Sequence, residues 1–285
     1  MKWRGRRSSD NVRKVGSGGG MRTAGALGGG GLIIMLVLSL LMGGNPLDVL
    51  MNNPQVSPGQ TQTTEYQSRN EEEKELEEFL SVVLADTEDV WTEIFASHGA
   101  EYRKPSLVLY QDRVNSGCGA ASSNMGPFYC GADETVYIDV AFAHDLRTTF
   151  DAAGDFPFAY VLAHEVGHHV QLLTGQLEKV QSMRNQSNYN NEMVKLELQA
   201  DYYAGVVAHY MQNKGYLDKG DVQEGMAAAA GVGDDRIMEM QGGRANPDNF
   251  QHGSSEQRQR WFLRGFEYGD LENGNTFSVR DAQDL

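Results

Sequence analysis

Along the chain, the spacing of apolar and polar positions changes period several times. From Glu71 the apolar residues Leu76, Phe79, Leu80, Val83, Leu84, Val90, Trp91 and Ile94 recur at helical spacing, which predicts a helix with this face in the core. SLVLYQDRV and TVYIDVAF are short runs rich in β-branched and aromatic residues, and they predict two strands separated by the loop CGAASSNMGPFYC. FPFAYVLAHEVGHHVQLL carries apolar residues on both sides of its H-E-x-x-H string and no proline after Pro157, so a buried helix is expected to open near Pro157. A second apolar-periodic helix is expected over 192–212, EMVKLELQADYYAGVVAHYMQ, and two short helices with a glycine break follow in DKGDVQEGMAAAAGVGDDRIMEM. Ser254 with Gln257 three residues on predicts a capping box that opens a last helix. Mostly helices around a small sheet make an α+β fold.

Three histidines and a glutamate interrupt the first buried helix. His164 and His168 are four apart and leave a helix from nearly the same face, so both rings can reach one ion. Glu165 is displaced around the helix and can reach a water on that ion, which is the mechanical content of H-E-x-x-H. His169 points elsewhere and is read as a neighbour. Polar groups in so apolar a helix need partners, and a metal supplies one. Downstream, Glu197 and Asp201 share a face among Leu, Ala, Tyr and Gly. A two-histidine catalytic zinc site takes a third protein ligand, and Glu197 fits, with Asp201 one turn on to accept a ring N–H. The spacing alone permits either carboxylate to be the ligand.

HEVGHHVQ followed by ELQADYYAG resembles the bacterial neutral zinc metallopeptidase family within the wider zincin group. GALGGGGLII, CGAASSNMGPFYC with YIDVAF, and QHGSSEQRQRWFLRGF resemble it too, so the likeness runs over most of the chain from Tyr66 to Gly269. The resemblance implies a zincin-like domain, Zn2+ held by His164, His168 and Glu197, Glu165 as general base, and a peptide or protein substrate. It also implies a strand beside the metal helix that pairs with substrate backbone, for which Val136–Val140 is the candidate; the alternative is an ordinary core strand. His252, just before the Ser254 cap, is a candidate for stabilising the oxyanion, or else a loop hydrogen bond; Tyr202 and Tyr203 are further candidates. His98, His144 and His209 are read as structural or surface residues. Two rivals remain: a zinc-binding scaffold without turnover, and a hydrolase of cell-wall peptide cross-links. An intact Glu165 argues against the scaffold, since a structural zinc site needs no base.

Charge and composition add the surroundings. Residues 1–23 hold Lys2, Arg4, Arg6, Arg7, Arg13, Lys14 and Arg22 against Asp10 in a Ser/Gly-rich setting, which reads as a disordered basic tail. Ala24 to Gly44 is uncharged and of spanning length, so one transmembrane helix is expected to precede the domain. A cleaved signal is the competitor, disfavoured by the long basic region and the lack of a small-x-small site. The positive-inside rule then puts the tail in the bacterial cytoplasm and the domain outside. The expected division is tail 1–23, anchor 24–44, linker 45–70, zinc peptidase domain 71–275 and tail 276–285. Without its basic tail the chain has 17 basic and 38 acidic residues, a net charge of −21, which excludes a nucleic-acid binder. Cys118 and Cys130 sit in a polar, Gly-rich loop with little apolar shelter and are expected to form a disulfide; two buried thiols are the alternative.

Overall fold

The computed structural model describes residues 1–16, 70–122, 125–140, 154–240 and 242–285. Its elements are β1 (Val12–Val15), α1 (Glu71–Ser97), β2 (Ser106–Tyr110), β3 (Arg113–Ser116), β4 (Gly119–Ser122), β5 (Phe128–Cys130), β6 (Thr135–Asp139), α2 (Phe156–Leu173), α3 (Gln176–Gln181), α4 (Tyr189–Asn213), α5 (Asp221–Gly231), α6 (Asp234–Met240) and α7 (Ser255–Tyr268). The architecture is α+β, as the periodicity predicts. Helix starts follow their local chemistry. Asn70 accepts the Glu73 N–H at the start of α1, whose first turn carries three glutamates against the positive end of the helix dipole. At α7, Ser254 accepts the Gln257 N–H while the Gln257 side chain accepts the Ser254 N–H.

Helices α2, α4 and α7 form the packed centre. Gly265 lets α7 touch α4 backbone to backbone: a Cβ there would fall 1.9 Å from the Tyr202 carbonyl oxygen. Gly205 answers from α4, where a Cβ would fall 2.0 Å from the Phe262 carbonyl oxygen. This close approach brings the start of α7 against the helix that carries Glu197 and Asp201.

The main sheet has the order β1-β2-β6-β5, with β1 and β6 parallel to β2 and β5 antiparallel to β6. Strand β6 therefore has neighbours on both sides, and the expectation that Val136–Val140 offers a free edge is corrected; the core-strand alternative holds. The edge beside α2 is the three-residue β5. Cys118 and Cys130 are disulfide-bonded, which ties the β3–β4 hairpin to the end of β5.

Both expected tails need correction as well. Residues 1–16 are part of the fold: β1 extends the sheet, and Trp3 is buried edge-on against Phe79 of α1. Arg4 pairs with Glu75, Arg6 with Asp86, Arg7 with Glu88 and Asp89, and Lys14 with Glu77. A basic segment that looks disordered by itself is ordered by an acidic helix some seventy residues away. At the other end, Ala282 and Leu285 are buried and Gln257 Nε2 donates to the Ala282 carbonyl. The expected anchor 24–44, linker residues 45–69 and His144 lie outside the described residues, among which no helix is long and apolar enough to cross a membrane.

Candidate metal centre

Helix α2 presents His164, Glu165 and His168, and α4 faces it with Glu197 and Asp201; all but half-buried His168 are buried. His164 Nε2 lies 3.2 Å from one Glu197 oxygen and His168 Nε2 lies 3.5 Å from the other. The ligand atoms of His164, His168 and Glu197 all fall within 4.8 Å of one another, so these three could hold one metal ion.

The outer ring nitrogens are fixed by partners that define the tautomers. His164 Nδ1 is 2.8 Å from Asp201, and a carboxylate only accepts, so Nδ1 carries the hydrogen and leaves a lone pair at Nε2 when the ring is neutral. His168 Nδ1 is 2.9 Å from Gln171 Oε1, while Gln171 Nε2 donates to the Leu196 carbonyl at 2.7 Å and to Gln199 at 3.1 Å. That orients the amide so that its oxygen faces the ring. Asp201 also accepts from the Tyr160 hydroxyl at 2.5 Å and from Arg258 Nε and Nη2 at 2.8 and 2.9 Å.

Burial works against every charge here, and the neighbours decide the outcome. Burial would lower the His164 pKa, but Asp201 and Glu197 raise it to about 10. Burial would raise Glu197, yet His168, His164 and His252 hold it well below the usual carboxylate range. Asp201 is likewise held down against burial by Arg258 and His164. Glu165 goes the other way, because burial outweighs the attraction of the two histidines and lifts its pKa.

The cluster opens into a cavity of about 430 Å³ lined by Met125, Phe128, Tyr129, Leu177, Met193 and Leu196 together with Glu165, His252 and Arg258. A larger polar recess of about 750 Å³, lined by Asn188, Asn191, Arg260 and Arg280 among others, contains none of the cluster. His252 sits on the same cavity as the metal-ligand candidates, with its Nδ1 3.0 Å from Asp234. Asp234 also accepts the backbone N–H groups of Gln251, His252 and Gly253 at 2.7, 2.7 and 3.1 Å, which fixes the loop that carries the ring.

Other candidates go elsewhere. His169 bonds Tyr129 and the Arg103 carbonyl, away from the cluster as expected. Tyr202 donates to Asp270 and Tyr203 packs edge-on against Trp91; neither lines the cavity, so their candidacy for the oxyanion is withdrawn. His98 bonds the Ile94 carbonyl and Glu272, and His209 bonds the Phe266 carbonyl, both structural. Arg258, Gln171, Tyr160 and Asp234 were not singled out from the sequence. For Gln171 a signal existed: it is three residues from His168 on a buried helix, where a polar side chain needs a partner.

The family described as "Putative neutral zinc metallopeptidase" matches residues 1–277. The chain belongs to that family. It is 47% identical over 290 residues to "Uncharacterized protein YpfJ" of Escherichia coli (strain K12), covering 97% of this chain and 99% of that one. It is 45% identical over 192 residues to "Uncharacterized protein Rv2575" of Mycobacterium tuberculosis (strain ATCC 25618 / H37Rv), covering 63% of this chain and 64% of that one. No solved structure matches. Membership supports a zinc-dependent hydrolase at the level of the family, and two lone-pair Nε2 atoms with one carboxylate form a donor set that suits zinc.

Proposed function

We propose that this chain is a zincin-like zinc peptidase held at a membrane by the segment 24–44, with zinc bound by His164, His168 and Glu197 and Glu165 as general base. The observation that carries the proposal is the convergence of both Nε2 atoms on Glu197 while each Nδ1 is held from behind, with Glu165 on the same cavity. His164, His168 and Glu197 would hold the zinc, which when bound would supply Lewis-acid chemistry for a peptide carbonyl and make water acidic enough to be deprotonated near neutral pH. Glu165, with its pKa lifted by burial, is suited to take a proton from water and pass it to the leaving amine. His252 donates Nδ1–H to Asp234, and Asp234 raises its pKa against burial, so as the imidazolium it has an Nε2–H to donate to a developing oxyanion. Strand β5, the sheet edge that lines the cavity, offers backbone groups to an extended peptide, and Phe128, Leu177, Met193 and Leu196 offer apolar contacts to its side chains. The Cys118–Cys130 bond favours an oxidising, extracytoplasmic setting for the domain.

Metal content and turnover of a mixed peptide library, measured on the detergent-solubilised full chain, test this. Glu165→Gln is expected to keep zinc and lose at least about a hundredfold in rate, while Glu197→Ala loses zinc and activity together. A Glu165→Gln rate within about tenfold of the parent, with zinc retained, sinks the mechanism.

A further inference from the structure

We infer that the two flanks of the segment 17–69 lie on the same face of the membrane, so that the apolar run Ala24–Gly44 does not separate residues 1–16 from the catalytic domain. This inference differs from the topology expected from the basic residues, with the tail on one side and the domain on the other. Residues 1–16 are bound by backbone, apolar and charged contacts at once. The ladder runs from Val12 beside Leu107 to Val15 beside Tyr110, preceded by Leu107 N–H to the Asn11 carbonyl at 2.9 Å. Farther back, Ser9 N–H donates to the Ser81 carbonyl at 3.0 Å and Lys2 N–H to the Tyr216 carbonyl at 2.8 Å. A bilayer core is about 30 Å thick, and no strand can be hydrogen-bonded to a neighbour across it.

The receiving surface is built for this segment. Glu88 is 1% exposed, and its carboxylate accepts from Ser9 Oγ at 2.5 Å, Asn11 Nδ2 at 2.8 Å and Arg7 at 3.1 Å, with Lys104 at 3.3 Å. Three of those four donors belong to residues 1–16; without them a buried carboxylate would keep one lysine. Ser9, Asn11 and Arg7 hold the Glu88 pKa below its usual value although burial pushes it up. Trp3, 5% exposed, fills a place on α1 that would otherwise open Phe79 to water.

Two further facts bear on the crossing. Lys2, Arg4, Arg6, Arg7 and Lys14 are each paired with a domain carboxylate, so five of the seven basic residues behind the positive-inside expectation are taken up within the fold. The two described flanks also meet: Lys14, two residues before Gly16, pairs with Glu77, within the first two turns of the helix that Asn70 caps.

The test uses single cysteines in the full chain in living cells, one at Arg4→Cys and one at Glu71→Cys. Both positions are open to solvent, with side chains 72% and 94% exposed, and the native cysteines are paired and silent to maleimide. A membrane-impermeant maleimide is applied to intact spheroplasts, with lysed cells as the total. The expected result is equal labelling of both. Equal protection of both supports the same-face inference while overturning the outward placement of the domain proposed above. Labelling of one position alone overturns the inference. A double variant, Arg4→Cys with Glu75→Cys, treated with a short bis-maleimide, guards against undocking by the substitution itself: a bridged peptide within one chain is expected, and its absence when both thiols are reactive overturns the docking.

Discussion

Asp201→Asn and Arg258→Met, made singly and together, separate what holds the fold from what holds the metal. Asp201 is wholly buried and accepts four hydrogen bonds, from His164, Tyr160 and twice from Arg258. Arg258 is also buried and has one further acceptor, the Val232 carbonyl at 3.1 Å. Asparagine at 201 keeps one acceptor oxygen but turns an NH2 group toward a guanidinium that can only donate. The result is a buried cation without an anion, and breaking a buried pair in this way costs about 3–5 kcal/mol. Methionine at 258 leaves the opposite orphan, but Asp201 retains its His164 and Tyr160 donors, so about 3 kcal/mol is expected. In the double variant neither charge is stranded, and replacing a whole buried pair is often close to neutral. The two losses should therefore fail to add by about 3 kcal/mol or more. Zinc affinity follows a different order. Asp201→Asn removes the acceptor behind His164 and should weaken binding by about 10 to 100-fold, whereas Arg258→Met removes a buried positive charge near the metal and should leave affinity unchanged or tighter. Urea unfolding of the metal-free chain gives the first comparison, and zinc competition against a chromophoric chelator gives the second. Additive losses within about 0.5 kcal/mol, or equal loss of zinc affinity in both single variants, refute the reasoning.

Two other outcomes are expected. Asp234→Asn removes the carboxylate that raises the His252 pKa against burial, so the alkaline limb of kcat/KM should move to lower pH with zinc content unchanged; an unmoved limb would remove imidazolium at position 252 from the mechanism. In the metal-free chain His164 is raised from 6.5 to about 10, so the stability from its pairing is fully present below pH 6.5 and is lost as pH rises through 10. Urea midpoints of the metal-free chain should fall across that window, zinc uptake at pH 8 should release protons, and a flat profile without proton release would contradict the charged His164.

The sequence was most legible where one helix carries its own information. Residues 156–173 and 189–213 are helical because their apolar positions recur on a helical period, and the i,i+4 spacing within each helix places His164 with His168 and Glu197 with Asp201. The capping box at Ser254 is equally local. Legibility stops where meaning depends on a partner far along the chain. Arg258 sits in EQRQRWFLR, which reads as the solvated face of a polar helix, and its burial depends on Asp201 at a separation of 57 residues. Asp234 looks like an acidic residue favouring a helix start, yet its work is to gather the 251–253 backbone. Residues 1–16 failed for the same reason: their charges look like a solvated tail until Glu75, Asp86, Glu88 and Glu77 are placed opposite them. The edge strand was misplaced because β5, three residues in a cysteine-bounded loop, is too short to show a period.

The buried charges give an independent reason for a divalent cation at this site. Three carboxylates, Glu165, Glu197 and Asp201, are buried around the imidazoles of His164 and His168 and the Arg258 guanidinium, with His252 on the same cavity paired separately to Asp234. Arg258 offsets Asp201 through two hydrogen bonds, which leaves two negative charges when both imidazoles are neutral. Two uncompensated carboxylates in a low-dielectric pocket are costly, and the pocket answers in the metal-free chain by binding protons: His164 is raised to about 10 and Glu165 is raised as well. A divalent ion would balance the same two charges and, under the proposal above, would leave both imidazoles neutral and Glu165 ionised. Protons and metal thus compete for one site, and Arg258 sets the count by removing Asp201 from it. Without the arginine the pocket would carry one more negative charge, which would draw the His164 proton and a metal ion more strongly alike. The buried arginine of α7 keeps Asp201 available to orient the histidine while limiting how basic it makes it.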